Sequence, residues 1–184
     1  RIGVIGAGQM GSGIAHVCAL KGFDIRLSDV DQAHLDKGID AIGRNMDRQI
    51  GRGMIRPEDK DQALRRITTD VDYKAFADCD LIVEAATENE SVKREIFKKV
   101  CVDLPANVLL ATNTSSISVT AIGAALKRPE RLAGLHFFNP APLMALVEIV
   151  SGLATDKAVA DTLFATATAW GKTAVHAKST PGFI

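Results

Sequence analysis

The sequence predicts an α/β fold, a mostly parallel sheet with helices on both faces, and two observations predict it. Short β-rich segments alternate with helical ones through most of the 184 residues. That rhythm is the mark of strand–helix–strand units, whose crossovers bring successive strands side by side in the same direction. The helical segments also carry the right period. Between residues 91 and 104, apolar side chains fall at Val92, Ile96, Phe97, Val100 and Leu104, with Lys and Arg turned outward.

The elements follow in order. Residues 1–5 form a strand, and the turn GAGQMG leads into a helix that Gly22 ends. Residues 23–28 form the second strand, with Asp29 at its carboxyl end and Asp31 placed to cap the next helix, which runs to about Ile50. Gly51, Gly53 and Pro57 interrupt it, and Pro57 suits the first turn of a shorter helix reaching Leu64. This excursion, residues 32–64, exceeds what a crossover needs and is expected to form an arm off the sheet. Strands are expected over residues 67–69, 81–83, 108–111, 132–135, 146–150 and 172–176, with helices over 91–104, 119–126 and 155–170. One domain therefore covers residues 1–184. The opening RIGVIG starts directly on strand-like residues. The closing STPGFI reads as a turn at Thr180-Pro181-Gly182, then the start of another segment, so further chain is expected beyond residue 184.

Composition excludes several classes of function. Hydrophobic residues make up 47% and charged residues 24%, with 22 basic against 22 acidic side chains. A neutral chain has no electrostatic footprint for nucleic acid or an anionic membrane surface. No apolar run approaches the roughly 20 residues of a membrane span. Cys18, Cys79 and Cys101 match no metal-knuckle or Cys-x-x-Cys spacing and read as packed thiols of a reducing, cytoplasmic compartment. His16, His34 and His176 gather no acids or cysteines around them, so no metal is expected.

Gly6-x-Gly8-x-x-Gly11 stands directly after a strand and opens a helix, where such a motif carries meaning. Gly6 permits the tight turn, Gly8 the approach of a pyrophosphate, and Gly11 the packing of helix on strand. The helix start, including Gln9 and Met10, offers backbone N–H groups and the positive dipole end to phosphate. Asp29 lies eighteen residues past Gly11, at the end of the second strand. A carboxylate there accepts both adenosine ribose hydroxyls and repels a 2′-phosphate, which predicts NAD rather than NADP and a Rossmann-type sheet. FAD uses a similar turn but needs more chain to enclose its ring. The plain alternative is a tight turn with Asp29 as a helix cap.

Three later stretches fall at expected carboxyl ends of strands, where parallel sheets bind ligands. In VEAATENESVK, Glu88, Asn89 and Lys93 are placed to reach the cofactor; the alternative makes Asn89 or Glu90 a helix cap and leaves Lys93 in solvent. In NTSSIS, Asn113 is assigned to the cofactor and Ser118 to a cap, while Ser115 is expected to hydrogen-bond a substrate oxygen. No Gly-x-Ser-x-Gly elbow surrounds it, so it is not read as a nucleophile. In GLHFFNPAPLMALVEIV, His136 precedes Glu148 by twelve residues, with Asn139-Pro140 and Pro142 between them to fold the chain back. A buried glutamate needs a partner, and an imidazole held by a carboxylate keeps its second nitrogen for a substrate proton. The alternative puts Glu148 on the wet face of an edge strand, beside Leu146 and Val150.

Together GAGQMGSGIAHV, VEAATENESVK, NTSSIS and GLHFFNPAPLMALVEIV resemble the NAD-binding domain of the L-3-hydroxyacyl-CoA dehydrogenases, and the resemblance covers essentially the whole chain. It implies that His136 is the catalytic base, oriented by Glu148, and that Ser115 contacts the substrate hydroxyl. It implies cofactor contacts for Asp29, Glu88, Lys93 and Asn139. It also implies an acyl-CoA substrate, part of which the arm receives; Arg44, Arg48 and Arg52, four residues apart, are candidates for its phosphates or for ordinary solvated charge. A helical carboxyl-terminal domain, closing the acyl site and making a homodimer, is expected outside this chain. Two other readings share these motifs: a dehydrogenase of a free 3-hydroxy acid, similar to the gulonate dehydrogenases, and a non-catalytic NAD-binding module.

Overall fold

Eight strands build one sheet in this computed structural model, which describes residues 1–180; the rest of the expected closing turn and the segment after it, residues 181–184, lie outside the described residues. The strands are β1 (Ile2–Ile5), β2 (Ile25–Ser28), β3 (Ile67–Thr69), β4 (Leu81–Glu84), β5 (Leu109–Thr112), β6 (Leu132–Phe137), β7 (Leu146–Ser151) and β8 (Thr173–Lys178). Their spatial order is β3-β2-β1-β4-β5-β6-β7-β8. Every pairing is parallel except β6 with β7. The order reverses between β1 and β4, which opens a crevice beyond their carboxyl ends.

The helices are α1 (Gln9–Leu20), α2 (Gln32–Gly51), α3 (Pro57–Arg65), α4 (Glu90–Val100), α5 (Val119–Gly123) and α6 (Lys157–Ala169). One core, with Ile14, Leu135, Phe137 and Trp170, fills the face under α1 and α6. The other, with Phe76, Ile82, Phe97, Leu110 and Ile122, fills the face under α4 and α5. Strands covered on both sides need apolar residues at consecutive positions, and β1 and β4 are buried along their whole length.

The expected arm is a helical hairpin resting on α1. Asp31 caps α2 by accepting the His34 N–H at 2.9 Å, and Pro57 opens α3. Leu35, Gly38, Ile42 and Met46 form the buried stripe of α2. Gly38 allows the approach: a Cβ there would lie 2.9 Å from the Ala7 carbonyl oxygen and from Ser12 Oγ. Several expected boundaries shift, among them the helix expected over 91–104, which ends at Val100. The helix expected over 119–126 stops at Gly123, because Ala125 and Leu126 donate to Ile122 and Gly123 three residues back and the last turn tightens. The strand expected over 132–135 continues through His136 to Phe137, because β7 pairs with it to the Phe137–Val147 position.

Candidate active site

The glycine turn packs without slack. Gly6 has φ +99°, and a Cβ on it would lie 2.7 Å from the Ala85 carbonyl oxygen. A Cβ on Gly11 would fall 1.8 Å from the Gly6 carbonyl oxygen, so this residue sets how closely α1 approaches β1. Gly8 differs: nothing lies within 4 Å of its Cβ position, and its bare backbone faces open space. The first turn of α1 has neither a capping side chain nor an acidic residue, so its N–H groups and dipole stay available to an anion. Gln9 and Met10 begin this turn. Asp29 sits beside it, accepting the Ala7 N–H through Oδ2 and the Val30 N–H through Oδ1, both at 2.6 Å. The carboxylate is thereby aimed, with remaining lone pairs to accept ribose hydroxyls.

Further along the carboxyl edge, a polar network joins three loops. Glu84, the last residue of β4, and Lys93 are both fully buried and meet at 2.6 Å. Glu84 also accepts Thr112 Oγ1–H at 2.8 Å and the Ala86 N–H at 2.9 Å. Lys93 makes its other bond to the Asn113 carbonyl, at 3.1 Å. The Asn113 side chain then accepts the Phe137 N–H at 2.9 Å, which ties the NTSSIS loop to the end of β6. Lys93 thus departs from the solvent-exposed alternative. It is not in solvent, and its ammonium points into the protein. Asn89 caps α4, accepting the Val92 N–H at 3.1 Å.

Glu88 gathers the NTSSIS loop from the other side. Its Oε1 accepts Thr114 Oγ1–H at 2.6 Å, the Ser115 N–H at 2.8 Å and Ser115 Oγ–H at 3.0 Å. Burial works to raise the Glu88 carboxyl, but these bonds and the nearby Lys93 charge prevail and hold it below its ordinary value. Ser115 remains exposed, with its proton given to Glu88 and its oxygen able to accept.

His136 and Glu148 face each other directly across the antiparallel β6–β7 pair. His136 Nδ1 lies 3.4 Å from Glu148 Oε1, with side chains 12% and 2% exposed. Their face follows from alternation. Leu135, Phe137, Val147 and Ile149 enter the core under α1 and α6, where Phe137 stacks on Trp170 at 5.8 Å. His136 and Glu148 therefore take the opposite face, the one that carries α4 and the NTSSIS loop. β8 covers β7, so Glu148 is not on a wet edge. The Phe138 ring lies 4.4 Å from the imidazole, centroid to centroid. Asn139 is exposed in the turn that follows. His176 lies away from the crevice, stacked on Phe164 at 4.8 Å.

On the arm, Arg44, Arg48 and Arg52 are all exposed. Arg48 and Arg52 line a hollow of about 170 Å³ between α2 and the turn of Pro140, Pro142 and Leu143, with His16 and Gln49 at its base. Arg44 lies outside this hollow. Among the described residues, no helix is long and apolar enough to cross a membrane.

Comparison with known proteins decides the family. The family model described as "3-hydroxyacyl-CoA dehydrogenase, NAD binding domain" matches residues 1–180. The chain belongs to this family. It is 46% identical over 184 residues to a 3-hydroxybutyryl-CoA dehydrogenase of Bradyrhizobium diazoefficiens, covering all of this chain and 63% of that protein. It is also 46% identical over 183 residues to a 3-hydroxyadipyl-CoA dehydrogenase of Escherichia coli, covering all of this chain and 38% of that one. The crystal structure of an (S)-3-hydroxybutyryl-CoA dehydrogenase from Ralstonia eutropha superposes on the whole chain with a TM-score of 0.97 at 39% identity, over 65% of its own length. The chain thus spans between about two fifths and two thirds of these relatives.

The cofactor of this domain family is NAD, and the residues present fit it. The open space over Gly8 and the uncapped start of α1 suit a pyrophosphate, and the aimed Asp29 carboxylate suits a ribose. Two features of the site escaped the sequence reading: the Glu84–Lys93 pair and the Asn113–Phe137 tie. The only signal was a glutamate closing an apolar strand, LIVE, nine residues ahead of a lysine.

Proposed function

We propose that the chain is the cofactor-binding part of an NAD-dependent dehydrogenase that interconverts the C3 hydroxyl of a (S)-3-hydroxyacyl-CoA with the corresponding ketone. One observation carries the reading: His136 stands opposite Glu148 at the carboxyl edge of a sheet whose glycine turn is open at Gly8. NAD supplies the hydride acceptor. The protein's own residues manage the proton. Glu148 receives the Nδ1–H of His136, fixing the ring's orientation and tautomer. Nε2 is then free to take the C3 hydroxyl proton as the C3–H bond gives up its hydride and the C=O bond forms. Ser115 Oγ donates to Glu88 when no substrate is bound and turns its O–H onto the C3 oxygen when the substrate enters, positioning it while His136 takes the proton. Asp29 holds the adenosine ribose, and the two loops carrying Glu88 and Asn113 line the nicotinamide side with Asn139. Arg48 and Arg52, at the hollow beside the arm, meet the CoA phosphates; Arg44, outside that hollow, is the weakest of the three candidates.

The test uses the full-length protein and a panel of CoA thioesters and free 3-hydroxy acids, L-gulonate included, each with NAD and with NADP. Turnover is expected on a 3-hydroxyacyl-CoA with NAD. His136→Gln should cut kcat by about 10²–10⁴-fold while leaving NAD affinity nearly intact. Preference for a free acid would replace the CoA assignment. Wild-type kcat in His136→Gln would end the proposed mechanism.

A further inference from the structure

A second cavity, of about 510 Å³, lies at the far edge of the sheet from the crevice. Its walls come from the end of α4 and the loop after it, from the turns following α5, and from Arg131 just ahead of β6. Pro105 and Val108, whose carbonyls hold Arg131, immediately precede β5. All these segments sit at the amino ends of β5 and β6, whereas Glu84, Asn113 and Phe137 mark the carboxyl ends.

The chemistry of this cavity is unbalanced. Lys98, Lys127, Arg128 and Arg131 line it, and no acidic residue does. Lys98 is engaged by Glu95 at 2.7 Å and Arg128 by Glu130 at 2.8 Å, both outside the walls. Arg131 is the exception. It is only 9% exposed, yet among the described residues no carboxylate lies within ion-pair distance of it, and the neighbouring Glu130 feels its charge only from further off. Nη1 donates to the carbonyls of Pro105 and Val108, at 3.0 and 3.4 Å. Nη2 has only the Cys101 sulfur, at 3.3 Å, and Nε has no acceptor. Thiol sulfur is a weak acceptor. Burial also pushes the Cys101 thiol up, more than Arg131 draws it down, so the sulfur stays protonated and does not supply the missing charge. A buried guanidinium with no hydrogen-bonded carboxylate is costly, and a carboxylate matches its donor geometry. The remaining walls are apolar: Val102, 76% exposed, with Leu104 and Leu126.

We propose that this cavity binds an amphiphilic carboxylate, its head group on the Arg131 guanidinium beside Cys101 and its hydrocarbon along Val102, Leu104 and Leu126. A bare inorganic anion satisfies the charge and leaves the apolar walls wet. A neutral lipid does the reverse. Only a molecule with both parts completes the site. Because the cavity and the crevice sit at opposite edges of the sheet, binding here does not compete with NAD.

The test is calorimetric titration of the full-length protein with octanoate, in the presence and absence of NAD, with inorganic phosphate and 1-octanol as controls. Octanoate is expected to bind saturably with or without NAD, and both controls about ten-fold or more weakly. Val102→Glu places a carboxylate at an exposed mouth position, where the fold is not at risk, and should weaken octanoate about ten-fold or more. Saturating octanoate should also slow alkylation of Cys101, followed on its own peptide by mass spectrometry. Absence of saturable binding would overturn the site. So would binding unchanged in Val102→Glu, which would put octanoate in the substrate crevice, or Cys101 alkylation at an unaltered rate, or phosphate binding as tightly as octanoate.

Discussion

Lys93→Met should unfold the chain at a markedly lower temperature, and the buried pair sets the size of the effect. Lys93 and Glu84 are both 0% exposed and 2.6 Å apart. Methionine keeps much of the lysine stem's volume but removes the ammonium, so Glu84 keeps its bonds from Thr112 and Ala86 and loses its counter-charge. Breaking a buried ion pair from one side costs about 3–5 kcal/mol. For a chain of this size each kcal/mol moves Tm by about 2–4 °C, so a fall of about 6–20 °C is expected. Replacing both partners, as Glu84→Gln with Lys93→Met, removes the stranded charge and should regain about half the loss or more. Thermal melts and urea midpoints on wild type, single and double variants measure this, with constant m-values as the check that only stability has changed. A Lys93→Met variant that melts within about 2 °C of wild type while losing NAD affinity would refute the reasoning and return the ammonium to the cofactor.

Asp29→Ala removes the carboxylate aimed by Ala7 and Val30, and should weaken NAD about ten-fold or more while eroding the preference over NADP; equal wild-type affinity for the two cofactors by calorimetry would contradict this. His16 is held below its ordinary value by burial, partly opposed by its bond to Gln49. Its folded pKa is depressed, so the unfolded chain takes the proton first. Stability is therefore full above about pH 6.5 and falls as pH is lowered toward the folded value. Urea midpoints through that window should slope downward in wild type and flatten in His16→Gln. Gly38→Ala puts a methyl 2.9 Å from the Ala7 carbonyl oxygen, so α2 must back away from the glycine turn. A cost of about 1–3 kcal/mol is expected, and a neutral result in thermal melts would show that the arm yields freely.

Much of this protein was legible along the chain, because local chemistry is local. Alternating periods announced the strands and helices, Asp31 and Pro57 marked helix starts, and the glycine spacing marked the turn before α1 together with Asp29 across from it. These features depend on residues a few positions apart, or on the near-fixed geometry of one strand–helix–strand unit. What an acid or a base faces depends instead on which strand lies beside which. Alternation allowed Glu148 a wet edge; β8 closing over β7, and the antiparallel register with β6, buried it opposite His136. Lys93 stood four residues past an asparagine cap and read equally well as solvent or cofactor contact. Only the return of α4 across β4 set its ammonium on Glu84, and only the adjacency of β5 and β6 let Asn113 hold Phe137. Nothing along the chain distinguishes Arg131; only the loop before β5, wrapping it, gives its guanidinium backbone carbonyls in place of a carboxylate. A period reports which way a side chain points, while its energy is set by neighbours that the chain brings there from far away.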